Sequence, residues 1–213
     1  MIDLAAGSSV TSSTRPRHAA PRLAAGLLGG ISLGIVARAW MRLIANHPEF
    51  TWNGTLFIVL GFAFFGVTQS IVAVVRDRGS RPAAVAAARV IGSLGMLPLF
   101  VAAGAVMLPT VVGGGLALAH PGWRRATRAC CTVVAAGPVV LVAHRILDDF
   151  GWSLHSLAGI ALFLVVYGIV VRTTRFTFEP SGSPWRPPRW ITIASCVLLA
   201  LLVLIPLIGG GIR

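Results

Sequence analysis

From Asn53 to Val75 the chain runs without a single charged residue. A helix rises about 1.5 Å per residue, so about 20 apolar residues cross the roughly 30 Å hydrocarbon core of a bilayer. Inside lipid every backbone N–H and C=O must be paired within the protein, which leaves only helices and closed barrels. The alternation of lipid-facing and lumen-facing residues that a barrel strand requires is absent here. Runs of the same kind fall near residues 22–44, 54–75, 83–107, 109–120, 126–147, 153–171 and 190–212. Charged residues make up 11% of the chain and the mean hydropathy is +0.84, against about 25% charged residues in an ordinary soluble domain. The sequence therefore predicts an all-α, polytopic membrane protein. Residues 1–21, rich in Ser, Thr, Ala and Pro, are expected to form a disordered tail. Residues 22–213 form one transmembrane domain.

The stretch 83–119 is too long for one span and slightly short for two, and Pro98 and Pro109 interrupt it. Charge decides between the two readings, because cytoplasmic loops collect Arg and Lys. If 83–119 is a hairpin turning near Pro109, every arginine-bearing loop falls on one side. These are Arg15, Arg17 and Arg22; Arg76, Arg78 and Arg81; Arg124, Arg125 and Arg128; and Arg172, Arg175, Arg186 and Arg189. A single crossing would put the last two groups outside. The expectation is about seven spans, with the N-terminus inside, the C-terminus outside and the fourth span short, tilted or partly re-entrant. Trp40, Trp52 and Trp152 then mark the outer interface, and Trp123, Trp185 and Trp190 the inner one. A cleaved signal peptide ending before Trp40 is the alternative for the first segment, and would leave six spans.

All 18 basic residues are arginine. With no lysine there is no Schiff base, which excludes a retinal protein. The net charge of +12 is spread over short loops and forms no basic domain, so nucleic acid is not an expected partner. The expected partners are the bilayer and the anionic lipids of its inner leaflet, drawn to the loop arginines. Cys130, Cys131 and Cys196 show neither CxxC nor Cys/His spacing and are read as packing residues.

The costly groups lie at the other end. Arg38 and Arg42 sit four residues apart near the end of the first span, with Arg38 about one turn deeper. Upstream, Gly26, Gly30 and Gly34 continue the same spacing and predict a face that another helix approaches closely. Glu49, Asp148 and Asp149 supply carboxylates at this level, and Arg145 precedes Asp149 by four residues. His47, His144 and His155 join them, with His144 four residues before Asp148. Three readings follow. The groups pair and clamp the helix ends; or Arg38, Arg42 and Arg145 receive a small anionic ligand for binding or transport; or the histidines and carboxylates hold a metal. The last is weak, because no HExxH or HxxxH motif is present, and no cofactor is expected. In the second span Thr68, Gln69 and Ser70 predict hydrogen bonds between helices, and Asn53 is the expected cap of the second helix.

The run "ARAWMRLIANHPEFTWNGTLFIVLGFAFFG" resembles a segment of uncharacterised multi-span proteins of actinobacteria, over residues 22–75, with a weaker echo in "HRILDDFGW". The resemblance implies a membrane location and no known activity. The Ser, Asp and multiple-His pattern of the seven-span haemolysin III and adiponectin-receptor family is missing. The expected function is thus that of a non-enzymatic protein of the cell membrane. A membrane enzyme acting on a lipid-linked substrate through Asp148, Asp149 or Glu49 is the alternative.

Overall fold

The computed structural model describes residues 19–45, 50–78, 81–103 and 105–180, without the side chains of 102, 103 and 105. The predicted tail up to residue 18 and the predicted span near 190–212 lie outside the described residues. Seven helices are described: α1 (Ala19–Leu43), α2 (Trp52–Asp77), α3 (Pro82–Leu94), α4 (Leu97–Ala103), α5 (Leu108–Ala119), α6 (Arg125–Phe150) and α7 (Leu154–Phe178), with one 3-10 turn at Ala105–Met107 before α5. Five helical segments are long and apolar enough to cross a membrane: α1, α2, the stretch Pro82–Val101, α6 and α7. Large apolar side chains such as Leu28, Leu60, Phe64, Val133 and Leu164 cover the outside of the bundle. This is the build of a helical membrane protein.

The third predicted segment is broken. Pro98 has no N–H to donate to the carbonyl of Leu94, so the ladder stops there and α4 restarts from a turn at Gly95 and Met96. The break is packed against α2: a Cβ on Gly95 would lie 1.9 Å from Thr68 Oγ1, and one on Gly61 would lie 3.1 Å from Pro98 Cβ. The chain then returns through the 3-10 turn into α5. With 12 residues, α5 is about 18 Å long, well short of the roughly 30 Å of a crossing. It packs in the half of the bundle near the end of α7, with Gly114 against Val171 and Gly115 against Thr174 and Phe178. The stretch 83–119 is therefore a hairpin with both feet at one end of the bundle and a short return arm. It turns at the 3-10 segment, slightly before Pro109.

Pro138 lies inside α6 and cannot complete that helix's ladder. Thr110 of α5 donates its hydroxyl to the carbonyl of Ala135 at 2.9 Å, pairing a backbone group next to the gap. Gly151 ends α6 at φ 64°, a conformation that favours glycine, and Ser153 caps α7 by accepting the Ser156 N–H at 3.2 Å.

The glycine row on α1 faces protein as its spacing predicts. A Cβ on Gly26 would lie 2.0 Å from Ser70 Oγ, one on Gly30 2.4 Å from the Phe62 carbonyl oxygen, and one on Gly34 2.9 Å from Val59 Cα. Gly66 answers from α2, where a Cβ would lie 2.1 Å from the Gly26 carbonyl oxygen. The two backbones thus meet along a seam with no room for side chains. Beyond it, Trp40, Phe62, Phe65, Phe163 and Tyr167 form the aromatic part of the core.

Candidate functional site

One end of the bundle carries the start of α1, the end of α2, the start of α3, the end of α5, the start of α6 and the end of α7. It holds most of the described arginines. At the opposite end stand the residues singled out in the sequence, and the structure engages them one at a time. Arg38 is half-buried and donates Nε–H to Thr55 Oγ1 at 3.2 Å, which ties α1 to α2. Arg42 is exposed, with its guanidinium 5.1 Å above the ring centroid of Phe50. His155 meets the Leu43 carbonyl oxygen at 2.7 Å and so ties α7 to α1. His144 and Asp148 pair at 3.1 Å along α6. Arg145 and Asp149 are exposed, and among the described residues they make no ion pair with each other. Glu49 and His47 lie outside the described residues. Among those described, no three His, Cys, Asp or Glu side chains gather as metal ligands.

Two local readings need correction. Trp40 does not stand at a lipid interface. It is 7% exposed, stacks on Phe163 at 5.1 Å and donates its indole N–H to the Gly159 carbonyl at 2.9 Å. The protein interior offers both an aromatic partner and an acceptor, so burial wins over the interface. Trp52 and Trp152, 70% and 85% exposed, do occupy surface positions at this end. Asn53 is inside α2; the capping position is Thr51, in extended conformation, and the Thr55 hydroxyl returns to its carbonyl at 3.0 Å.

The arginine-rich end is more tightly organised. Gln69 of α2 donates to the Gly92 carbonyl of α3 at 3.1 Å and accepts from the Thr177 hydroxyl of α7 at 2.7 Å, the interhelical bonding expected of it. Thr68 instead bonds within its own helix, to the Phe65 carbonyl. About two turns further out, Arg76 donates to the Phe176 carbonyl at 2.8 Å and to the Glu179 carboxylate at 3.1 Å. Arg89 of α3 donates to the Glu179 carbonyl at 2.7 Å. Two cations thus sit where the carbonyl end of α7 is negative, which is the favourable place for them. Arg22 of α1 pairs with Asp77 of α2. Just past α5, His120 stacks on Trp123 at 4.2 Å. Burial holds its imidazole below the ordinary histidine range; the Leu116 carbonyl and Glu179 act against that, and Arg89 acts with it. Trp123 Nε1 and Arg175 Nε are buried at this end with no acceptor among the described residues.

Between α1, α2 and α7 the same end opens into a cleft of about 500 Å³, which Arg22, Arg76, Asp77, Glu179 and Ser70 help to line. The sequence reading treated Arg22 and Arg76 as loop charges, gave Ser70 to bonding between helices, and did not single out Asp77 or Glu179. The signal that could have pointed to them is the rarity of acids on that side. Asp77 and Glu179 stand among many arginines, and a lone carboxylate in a basic loop commonly has a structural partner.

No protein-family model matches this chain, nor does any curated protein or solved structure.

Proposed function

We propose that this chain is a multi-pass protein of a bacterial cell membrane that works without catalysing a reaction, with its arginine-rich end in the cytoplasm and its opposite end held together by hydrogen bonds between helices. The separation of charge supports the orientation, because short cytoplasmic loops collect arginine. In this orientation Arg78, Arg81, Arg124, Arg125 and Arg128, all exposed, face the anionic lipids of the inner leaflet, each worth about 1 kcal/mol of attraction near the surface. The outer end is then a clamp, and the observation that carries this is its cross-helix bonding. Arg38 joins α1 to α2, while His155 and Trp40 each join α1 to α7.

A labelling experiment tests the reading. In a cysteine-free background, Trp152→Cys and Gly122→Cys are placed at opposite ends, both at exposed positions. A membrane-impermeant maleimide applied to intact cells is expected to label the first and to reach the second only after permeabilisation. The reverse pattern overturns the orientation, and with it the assignment of the clamp to the outer face.

A further inference from the structure

The cleft at the arginine-rich end has an unusual charge pattern for so basic a surface. Its two cations are matched by two carboxylates, in cross-helix pairs that use different neighbours. Arg22 of α1 meets Asp77 of α2, and Arg76 of α2 meets Glu179 just past α7. The Arg76 side chain is largely buried, at 17% exposed, whereas Glu179 at 44%, Arg22 at 52% and Asp77 at 58% remain open to a visitor. Only Nη1 of Arg76 appears in its described bonds, and a guanidinium has five N–H groups in a fork suited to phosphate or carboxylate oxygens. Asp77 and Glu179 each have more acceptor sites than one arginine uses. The floor is made by Gly26 and Ser70, where the α1–α2 seam brings the backbones together.

A volume of about 500 Å³ lies within the range of small-ligand sites, roughly 300–1,000 Å³. A simple anion placed there would face two carboxylates, and a simple cation two guanidinium groups. A molecule carrying both signs leaves neither unmatched. We infer that this cleft binds a zwitterionic ligand, whose phosphate or carboxylate oxygens are held by Arg22 and Arg76 and whose ammonium is held by Asp77 and Glu179. The phosphoethanolamine group has this chemistry and comes from two sources, a phospholipid headgroup or a soluble phosphoamine. The inference does not depend on which face of the membrane the cleft occupies.

The test compares probes on the purified full-length protein. Retention of phosphatidylethanolamine against phosphatidylglycerol is read by native mass spectrometry, and binding of soluble phosphoethanolamine against inorganic phosphate by calorimetric titration. In at least one of these comparisons the amine-bearing probe is expected to bind about tenfold or more tighter than its single-sign counterpart. A preference seen with lipid alone assigns the ligand to the bilayer; a preference seen also with phosphoethanolamine assigns the site to the headgroup chemistry itself. Two variants locate the effect. Arg22→Gln removes an exposed cation, and Ala73→Leu fills the cleft without altering a charge; each is expected to weaken binding about tenfold. The inference is overturned if the single-sign probes bind as well as the amine-bearing ones, a comparison that needs no variant. It is also overturned if Ala73→Leu melts like the parent protein and binds unchanged.

Discussion

Arg38 and Arg42 lie on the same helix one turn apart, and their surroundings divide their roles. Arg38 is half-buried and its bond crosses to α2, whereas Arg42 lies on the surface over Phe50. A hydrogen bond from a charged group is worth about 1.5–3 kcal/mol, and an exposed cation–π contact about 0.5–1 kcal/mol. Arg38→Ala is therefore expected to lower the melting temperature in detergent more than Arg42→Ala does; the opposite order would refute the depth assigned to the pair. That difference in depth was legible from spacing alone, since the residue nearer the middle of the span is the more enclosed. The partner was not. Sequence reasoning looked to Glu49, Asp148 and Asp149 for Arg38; among the described residues the one that meets it is Thr55, which lies across a helix-helix contact that no local pattern reports. Trp40 escaped for a related reason: an indole at a span end suits the lipid interface and the core equally well, and only the position of Gly159 and Phe163 decides.

At the scale of helices, the seam between α1 and α2 makes a sharp prediction. Gly29 and Gly30 are adjacent in sequence but point to different surroundings. A Cβ on Gly29 meets nothing within 4 Å, whereas one on Gly30 would press into the backbone of Phe62 and Ala63 at 2.4–2.8 Å. Gly29→Ala is expected to leave stability unchanged or raise it by up to about 1 kcal/mol, the usual helix preference for alanine. Gly30→Ala is expected to cost about 1–3 kcal/mol, the typical penalty of overpacking, and comparing the two melting curves checks both. The spacing of Gly26, Gly30 and Gly34 made this face readable in advance. The break at Gly95 and Pro98 was half-readable: proline marked the place, but whether the helix kinked or restarted depended on the room that α2 leaves at Thr68 and Gly61. The shortness of α5 was visible as a short apolar run. Its use in pairing the Ala135 carbonyl near Pro138 was not, because nothing in sequence joins positions 110 and 135.

For the whole molecule, acid should weaken the fold through the arginine-rich end. Burial depresses the His120 pKa below its ordinary value of 6.5. Above that value the ring is neutral in folded and unfolded chains alike, and stability is at its full level. As pH falls below it the unfolded chain takes up a proton that the folded one resists, so stability declines until the lower folded pKa is passed. The melting temperature should fall on acidification across this window, and His120→Gln should flatten that part of the profile. A profile that is the same in both proteins would show that His120 is not the group responsible. The seam has one more consequence, concerning the order of synthesis. The closely meshed backbones of α1 and α2 belong to neighbouring stretches of chain, joined by a short connection. Consecutive helices have the shortest loop to close, so the first two can zip together as a hairpin before the last helices are made, and offer those helices a finished wall to assemble on.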